Sequence, residues 1–175
     1  SGRVAAKMQA EHARMQHMIS NEAGAPRVIL KILSHNDGAV FDQAVNLGEQ
    51  LLCARNYDGQ GIFFNTIEKS SRDGSYFVAM RDCIRASREM LFTYRMMSPD
   101  ARNKMETKKG VEVLEKIKKI VPLLRFLSLL CEGHYEKTQD IMRSQPRNVV
   151  TVNLLNEVVD FFYLLGKSLP HLRVF

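Results

Sequence analysis

Tryptophan is absent from this chain, and proline, glycine and cysteine are scarce: five, ten and three among 175 residues. So few prolines and glycines argue against a disordered or low-complexity protein. The cysteines, Cys53, Cys83 and Cys131, are widely spaced and form no CxxC or Cys/His ligand pattern, which disfavours a zinc site. We expect reduced, buried thiols in a cytosolic protein.

Long apolar runs and targeting segments are also missing. The sequence has no signal peptide, and no apolar run reaches the roughly 18 residues that a membrane-spanning helix needs. The longest apolar stretch, 120–131, is interrupted by Pro122 and Arg125. The opening Ser1-Gly2 resembles the scar of a cleaved tag, and we expect a segment cut from a larger protein. This segment by itself is expected neither to enter nor to span a membrane.

Enzyme and nucleic-acid signals are equally lacking. There is no GxSxG, P-loop, HExxH or GxGxxG motif, so the sequence predicts no enzyme. The net charge of +6 comes from basic and acidic residues mixed along the chain, without the clustered basic stripe that nucleic-acid binding favours. Residues 108–125 combine basic and apolar positions, a pattern shared by calmodulin targets and by ordinary solvated helices.

What the sequence does contain is helical periodicity. Apolar residues recur at helical spacing nearly throughout, and strand-like alternation is scarce. The pattern predicts short helices, with a break at 56–61 and a last helix over 151–165 that buries Leu155, Val158 and Phe162. The nine methionines are expected mainly to fill the core, with Met96-Met97 near the linker as the exception. The helix lengths predict an all-α fold, an armadillo/HEAT-like stack of antiparallel helices that forms a solenoid fragment.

The most informative segment is 125–134, which reads RFLSLLCEGH. Gly133 is where a helix would end, because glycine adopts the left-handed cap conformation without a side-chain penalty. Glu132 then lies at the helix C-terminus, where the helix dipole disfavours a carboxylate unless a cation is near. Calcium takes about 6–8 oxygen ligands, so one carboxylate is far from a complete site. From spacing alone, the motif favours a solvated Glu132 paired with a lysine and a helix-capping His134 over a metal site.

These ten residues, followed by Gln139 and Arg143, resemble the start of the RIH-associated region of inositol trisphosphate and ryanodine receptors. Residues 151–155 and 159–160 continue the similarity, and weaker similarity to the preceding RIH-type repeat extends upstream. The resemblance implies four parts: an N-terminal helix with the tag scar at 1–20, an RIH-like helical repeat at 21–97, a linker at 98–110, and the truncated start of the RIH-associated region at 111–175.

In that family the glutamate and histidine of this motif lie at the activating calcium site. The resemblance implies that Glu132 is a calcium ligand, forming half of a site, and that His134 is a neighbour that supports it. The family's second glutamate motif, TEYxQGPC-like, is not in the sequence, so tight calcium binding is not expected. Tyr135 replaces the family's usual asparagine.

The function implied is that of a cytosolic fragment of a tetrameric, ligand-gated calcium-release channel at the endoplasmic or sarcoplasmic reticulum. It would couple calcium and ligand binding to pore opening. Its partners would be other domains and subunits of the channel, with calmodulin also considered and nucleic acid not expected. Membrane contact would come only through the pore domain, which lies outside this segment. The alternative is a helical-repeat adaptor that binds another protein and has no calcium role.

Overall fold

The computed structural model describes residues 2–35, 38–54, 56–70, 74–97 and 120–168, so the predicted linker at 98–110 lies outside the described residues. Helix accounts for 85% of the described residues, and none of them lies in a strand. The helices are α1 Gly2–His17, α2 Ala25–His35, α3 Gly38–Leu52, α4 Tyr57–Lys69, α5 Ser75–Met96, α6 Ile120–Leu130, α7 Glu136–Arg143 and α8 Leu154–Ser168. They pack against each other, and the predicted all-α helical stack is confirmed.

A single apolar cluster joins these helices. α3 packs on α2 and α6, while α5 packs on α2 and α8, so helices from both halves of the sequence share one core. α6 contributes Leu123, Phe126 and Leu130, which recur at helical spacing on one buried face. The ring of Phe126 meets that of Phe63 edge-on, with centroids 5.6 Å apart. No helix within the described ranges is both long enough and apolar enough to cross a bilayer.

The break predicted at 56–61 is wrong, because α4 begins at Tyr57. Asn56 caps this helix: its Oδ1 accepts from the Gly59 N–H at 3.0 Å, and its amide donates to the Leu51 carbonyl at 2.7 Å. Asparagine and glycine indicate a turn, but asparagine is also a preferred N-cap residue. The additional turn brings Gln60 to the end of α6, where it becomes part of the candidate site.

In the last helix, the buried residues lie one position before the residues that the sequence predicted to face inward. Phe162 is 53% exposed, whereas Leu154, Glu157 and Phe161 are buried. Glu157 is buried because two arginines of α5 reach it: Arg85 Nε donates to its Oε1 at 2.9 Å, and Arg88 lies 3.5 Å from its Oε2. The hydrogen bond to Glu157 raises the pKa of the Arg85 guanidinium. Apolar periodicity alone could not place this charged residue inside.

The expectation that the methionines mainly fill the core is also wrong for the described residues. Met80 and Met142 are buried, but others lie exposed, three of them on α1 and the π-helical turn Met18–Glu22 that follows it. Met8, Met15 and Met18 are exposed against this expectation, and Met96, the excepted residue, is exposed as well. α1 therefore presents an unexpectedly apolar outer surface.

The contact between α3 and α6 depends on Gly48, where an added Cβ would lie 2.5 Å from Cε2 of Phe126. Phe126 is fully buried, so its ring has little room to move aside. We expect Gly48→Ala to lower the free energy of unfolding, because overpacking costs about 1–3 kcal/mol and the gain in helix propensity is at most about 1 kcal/mol. Urea denaturation measures the difference.

Gly166→Ala in α8 is the matched control, since nothing lies within 4 Å of its added Cβ. This variant should gain about 0.5–1 kcal/mol from helix propensity alone. Equal stabilisation by the two substitutions would contradict the close packing of α3 on α6.

Candidate functional site

Glu132 lies on a tight corner between α6 and α7. α6 ends at Leu130, Glu132–His134 form a single 3-10 turn, and α7 begins at Glu136. Gly133 has a φ of +70°, so the left-handed conformation predicted for it is confirmed. Glu132 is half-buried at this corner.

The amide of Gln60 on α4 holds the corner in place. Its Nε2 donates to the carbonyl oxygens of Leu129, at 2.7 Å, and Glu132, at 3.0 Å. The last carbonyls of a helix lack N–H donors within the helix, and the Gln60 amide supplies donors in their place. From α7, Gln139 Nε2 donates to the Cys131 carbonyl at 3.2 Å. The backbone that carries Glu132 is thus fixed by two neighbouring helices.

Aromatic side chains close the corner from the α4 side. A Cβ on Gly133 would lie 2.5 Å from Cε1 of Tyr57, so glycine is required for space as well as for conformation. The ring of Tyr135 stands edge-on to that of Phe64, with centroids 6.2 Å apart. Tyr135, which stands where the family usually has asparagine, therefore anchors the start of α7 against α4. Lys137 Nζ lies 5.8 Å from the centre of the same Phe64 ring.

The described residues do not form a complete calcium site by themselves. No group of three or more histidine, cysteine, aspartate or glutamate side chains that could hold a metal occurs among them. Calcium takes about 6–8 oxygen ligands, so Glu132 offers one carboxylate to a site that needs several more groups. The predicted supporting role of the His134 side chain falls outside what the structure describes. The half-site stays a prediction.

Nothing local in the sequence marks Tyr57 or Gln60 as part of this corner. Gln60 reaches carbonyls 69 and 72 residues further along the chain. Asn56, the one nearby signal, indicates where a helix begins and not what that helix touches. Gln139, in contrast, belongs to the segment that carries the family resemblance.

Cys131 precedes Glu132 and is a free, half-buried thiol. Burial raises the pKa of this thiol to about 11. The thiolate is the form that binds metals and reacts as a nucleophile. Cys131 therefore contributes packing to the corner, and neither a ligand nor a nucleophile near neutral pH.

We expect Cys131 to be alkylated by iodoacetamide about 100-fold more slowly in the folded chain than in urea at about pH 8, because its pKa rises from 9.0 to about 11. Site-resolved mass spectrometry of the alkylated peptides measures both rates. The neutral thiol is favoured by folding, so this contribution to stability is present below pH 9.0 and is lost as the pH rises through about 11. Equal rates in the folded and unfolded chains would contradict the burial.

Replacing Gln60 tests what holds the corner. Gln60→Met keeps the side-chain length but leaves the Leu129 and Glu132 carbonyls without this donor, and we expect a loss of about 1–3 kcal/mol in the free energy of unfolding. Gln43→Met, on the exposed side of α3, is the matched control and should change stability by less than about 0.5 kcal/mol. Equal effects of the two substitutions would show that the Gln60 amide does not stabilise the corner.

Comparison with known protein families bears directly on this corner. Residues 114–172 match the family model described as RyR and IP3R Homology associated. The match includes α6, the corner with Glu132, α7 and α8. The resemblance carried by the segment RFLSLLCEGH is therefore confirmed: residues 114–172 of this chain are similar to the region associated with ryanodine receptor and inositol trisphosphate receptor homology.

Proposed function

We propose that this chain is a cytosolic helical region of a tetrameric, ligand-gated calcium-release channel of the endoplasmic or sarcoplasmic reticulum, without enzymatic activity. Its task is to couple calcium and ligand binding to the opening of the pore. The family match supports the channel assignment. The observation that carries the site is the corner itself, where Glu132 sits on a backbone fixed by Gln60 and shaped by Gly133. Its partners are other domains and subunits of the channel.

In this proposal Glu132 supplies one oxygen ligand for calcium, and other segments of the channel supply the rest. Coupling requires that calcium bind one conformation of the channel better than another. A carboxylate on a rigid corner meets this requirement, since its distance from the remaining ligands changes only when whole helices move. Gln60 and Gly133 position that carboxylate and touch no ion.

The second candidate function is a protein-interaction adaptor without a calcium role. It is favoured by α1, where Val4, Met8 and Met15 are 64%, 65% and 59% exposed. Their spacing of four and seven residues places them on one face of the helix. An exposed apolar face of this kind is typical of surfaces that dock another helix.

The two functions differ in what Glu132→Ala does to the full-length channel. We expect this variant to assemble normally and to need about tenfold more calcium for half-maximal opening, because a lost ligand removes the differential contact that drives opening. Calcium-dependent single-channel recording in planar bilayers measures the shift, and size-exclusion chromatography checks assembly.

Glu136→Ala is the matched control, since it removes the same charge from the exposed first turn of α7. Its calcium dependence should equal that of the wild type. Unchanged activation in an intact Glu132→Ala tetramer would reject the ligand assignment. The adaptor would be favoured if Met8→Glu lost a protein partner while Glu132→Ala and Glu136→Ala both kept normal calcium activation.

A further inference from the structure

A groove of about 590 Å³ lies between the second half of α5 and α8. The two helices run in the same direction: Arg85 Nε donates to Glu157 at 2.9 Å, and Arg88, one turn later, donates to Asp160 at 3.0 Å. Each arginine thus meets a residue 72 positions further along the chain. The side chains of a third helix can pack into the furrow that two adjacent helices leave between them.

Apolar side chains line the middle of this groove. Phe92 of α5 and Tyr163 of α8 are 52% and 65% exposed there. Met96, one turn after Phe92, and Val159, one turn before Tyr163, are exposed as well. Exposed apolar side chains that recur every four residues on two neighbouring helices favour contact with the apolar stripe of another helix.

Gly166 on α8 is a separate indication that another backbone approaches here. It follows Tyr163 by three residues and therefore lies on the same side of the helix. Glycine weakens a helix relative to alanine, yet no described residue lies within 4 Å of a Cβ added at this position. The described part of the chain makes no use of this space, whereas a docked helix could approach α8 closely through it.

The two ends of the groove carry opposite charges. Glu89 and Asp160 line one end, and the side chain of Asp160 stays 65% exposed beside its ion pair. At the other end, Lys167 Nζ lies 4.2 Å from the centre of the Tyr163 ring. A hydrogen bond from Lys167 and, less strongly, the charge of Arg95 lower the pKa of Tyr163, so both cations lie beside it. The groove is thus acidic where it begins and basic towards the C-terminal ends of α5 and α8.

We propose that this groove docks an amphipathic helix of a partner protein, antiparallel to α5 and α8. The partner helix has an acidic residue in its first turn, opposite Arg95 and Lys167. About two turns later it has a basic residue, opposite Glu89 and Asp160, because the charged ends of the groove lie about 9–10 Å apart at 1.5 Å per residue. The direction is antiparallel because acidic residues stabilise the N-terminus of a helix and basic residues its C-terminus.

Apolar residues of the partner helix lie between these two charges and cover the aromatic side chains of the groove. Aromatic residues contribute strongly to binding when a partner excludes water from them. Neither Glu132 nor the exposed apolar face of α1 takes part in this contact.

Selection from a phage-displayed library of amphipathic helical peptides, on the immobilised 175-residue chain, tests the chemistry of the partner. We expect the enriched peptides to carry glutamate or aspartate in the first turn and lysine or arginine about seven residues later. Selection on Lys167→Glu should lose the acidic residue of the first turn, because the positive charge opposite it is removed. The matched control is Lys7→Glu, which makes the same charge change on the exposed side of α1 and should select the wild-type pattern.

Fluorescence anisotropy with the most enriched peptide measures its affinity for variants of the groove. Phe92→Ser should bind at least about tenfold more weakly, because it removes an aromatic contact. Val149→Ser, on the exposed loop between α7 and α8, is the matched control and should bind like the wild type. Gly166→Ala should raise the melting temperature and still weaken peptide binding, which a glycine without a binding role would not do.

The proposal would be overturned by a selection that enriches no peptide, by enriched peptides without the charge pattern, or by wild-type affinity in Phe92→Ser. Size-exclusion chromatography covers the remaining occupant. A chain that forms dimers, and that Phe92→Ser returns to monomers, would assign the groove to a second copy of this chain and contradict a separate partner.

Discussion

Helices that end inside the stack leave their last carbonyl oxygens without partners, and buried glutamine amides supply the missing donors. Gln16 of α1 donates to the carbonyl of Gln50 at 2.8 Å near the end of α3, and Gln60 does the same for α6. Gln145 donates to the Val152 carbonyl at 2.9 Å and accepts from the Val152 N–H at 2.7 Å, which closes the loop between α7 and α8. Without these donors, each buried carbonyl would cost about 1–3 kcal/mol.

Glutamine suits this task because its amide carries two N–H groups on a side chain long enough to cross between helices. In Gln60 the Nε2 group reaches two carbonyls, whereas Oε1 has no partner among the described residues. The unpaired Oε1 of Gln60 therefore costs free energy, and the two hydrogen bonds from Nε2 stabilise the fold only if they contribute more than that cost. A corner held in this way is anchored through its backbone by the amides of Gln60 and Gln139.

Local rules were enough to predict the parts of the fold that depend on one helix or one residue. In α5, Phe77, Met80 and Ile84 recur at helical spacing, which indicates one inward face, and all three are fully buried. The left-handed conformation of Gly133 followed from a steric property of glycine alone. In both cases the information lies within a few residues of the position that it determines.

Long-range polar contacts could not be predicted in this way. The side chain of Glu157 is buried because Arg85, 72 residues earlier, donates to it, and no periodicity in the last helix reveals that partner. Gln60 is likewise paired with carbonyls far along the chain. For the candidate site, spacing indicated only where a cation would help Glu132, and the calcium itself came from the family resemblance.

α4 connects the corner to the core. Its first turn carries Gln60, whose amide fixes the backbone of Glu132, and Phe63 further along the same helix is fully buried against the ring of Phe126 in α6. A displacement of α4 as a unit would therefore change the donor at the corner and the packing of α6 together. Coupling between two sites is reciprocal. A ligand that binds one position of α4 better than another would thus change the affinity of whatever Glu132 binds, and would have its own affinity changed by the same factor.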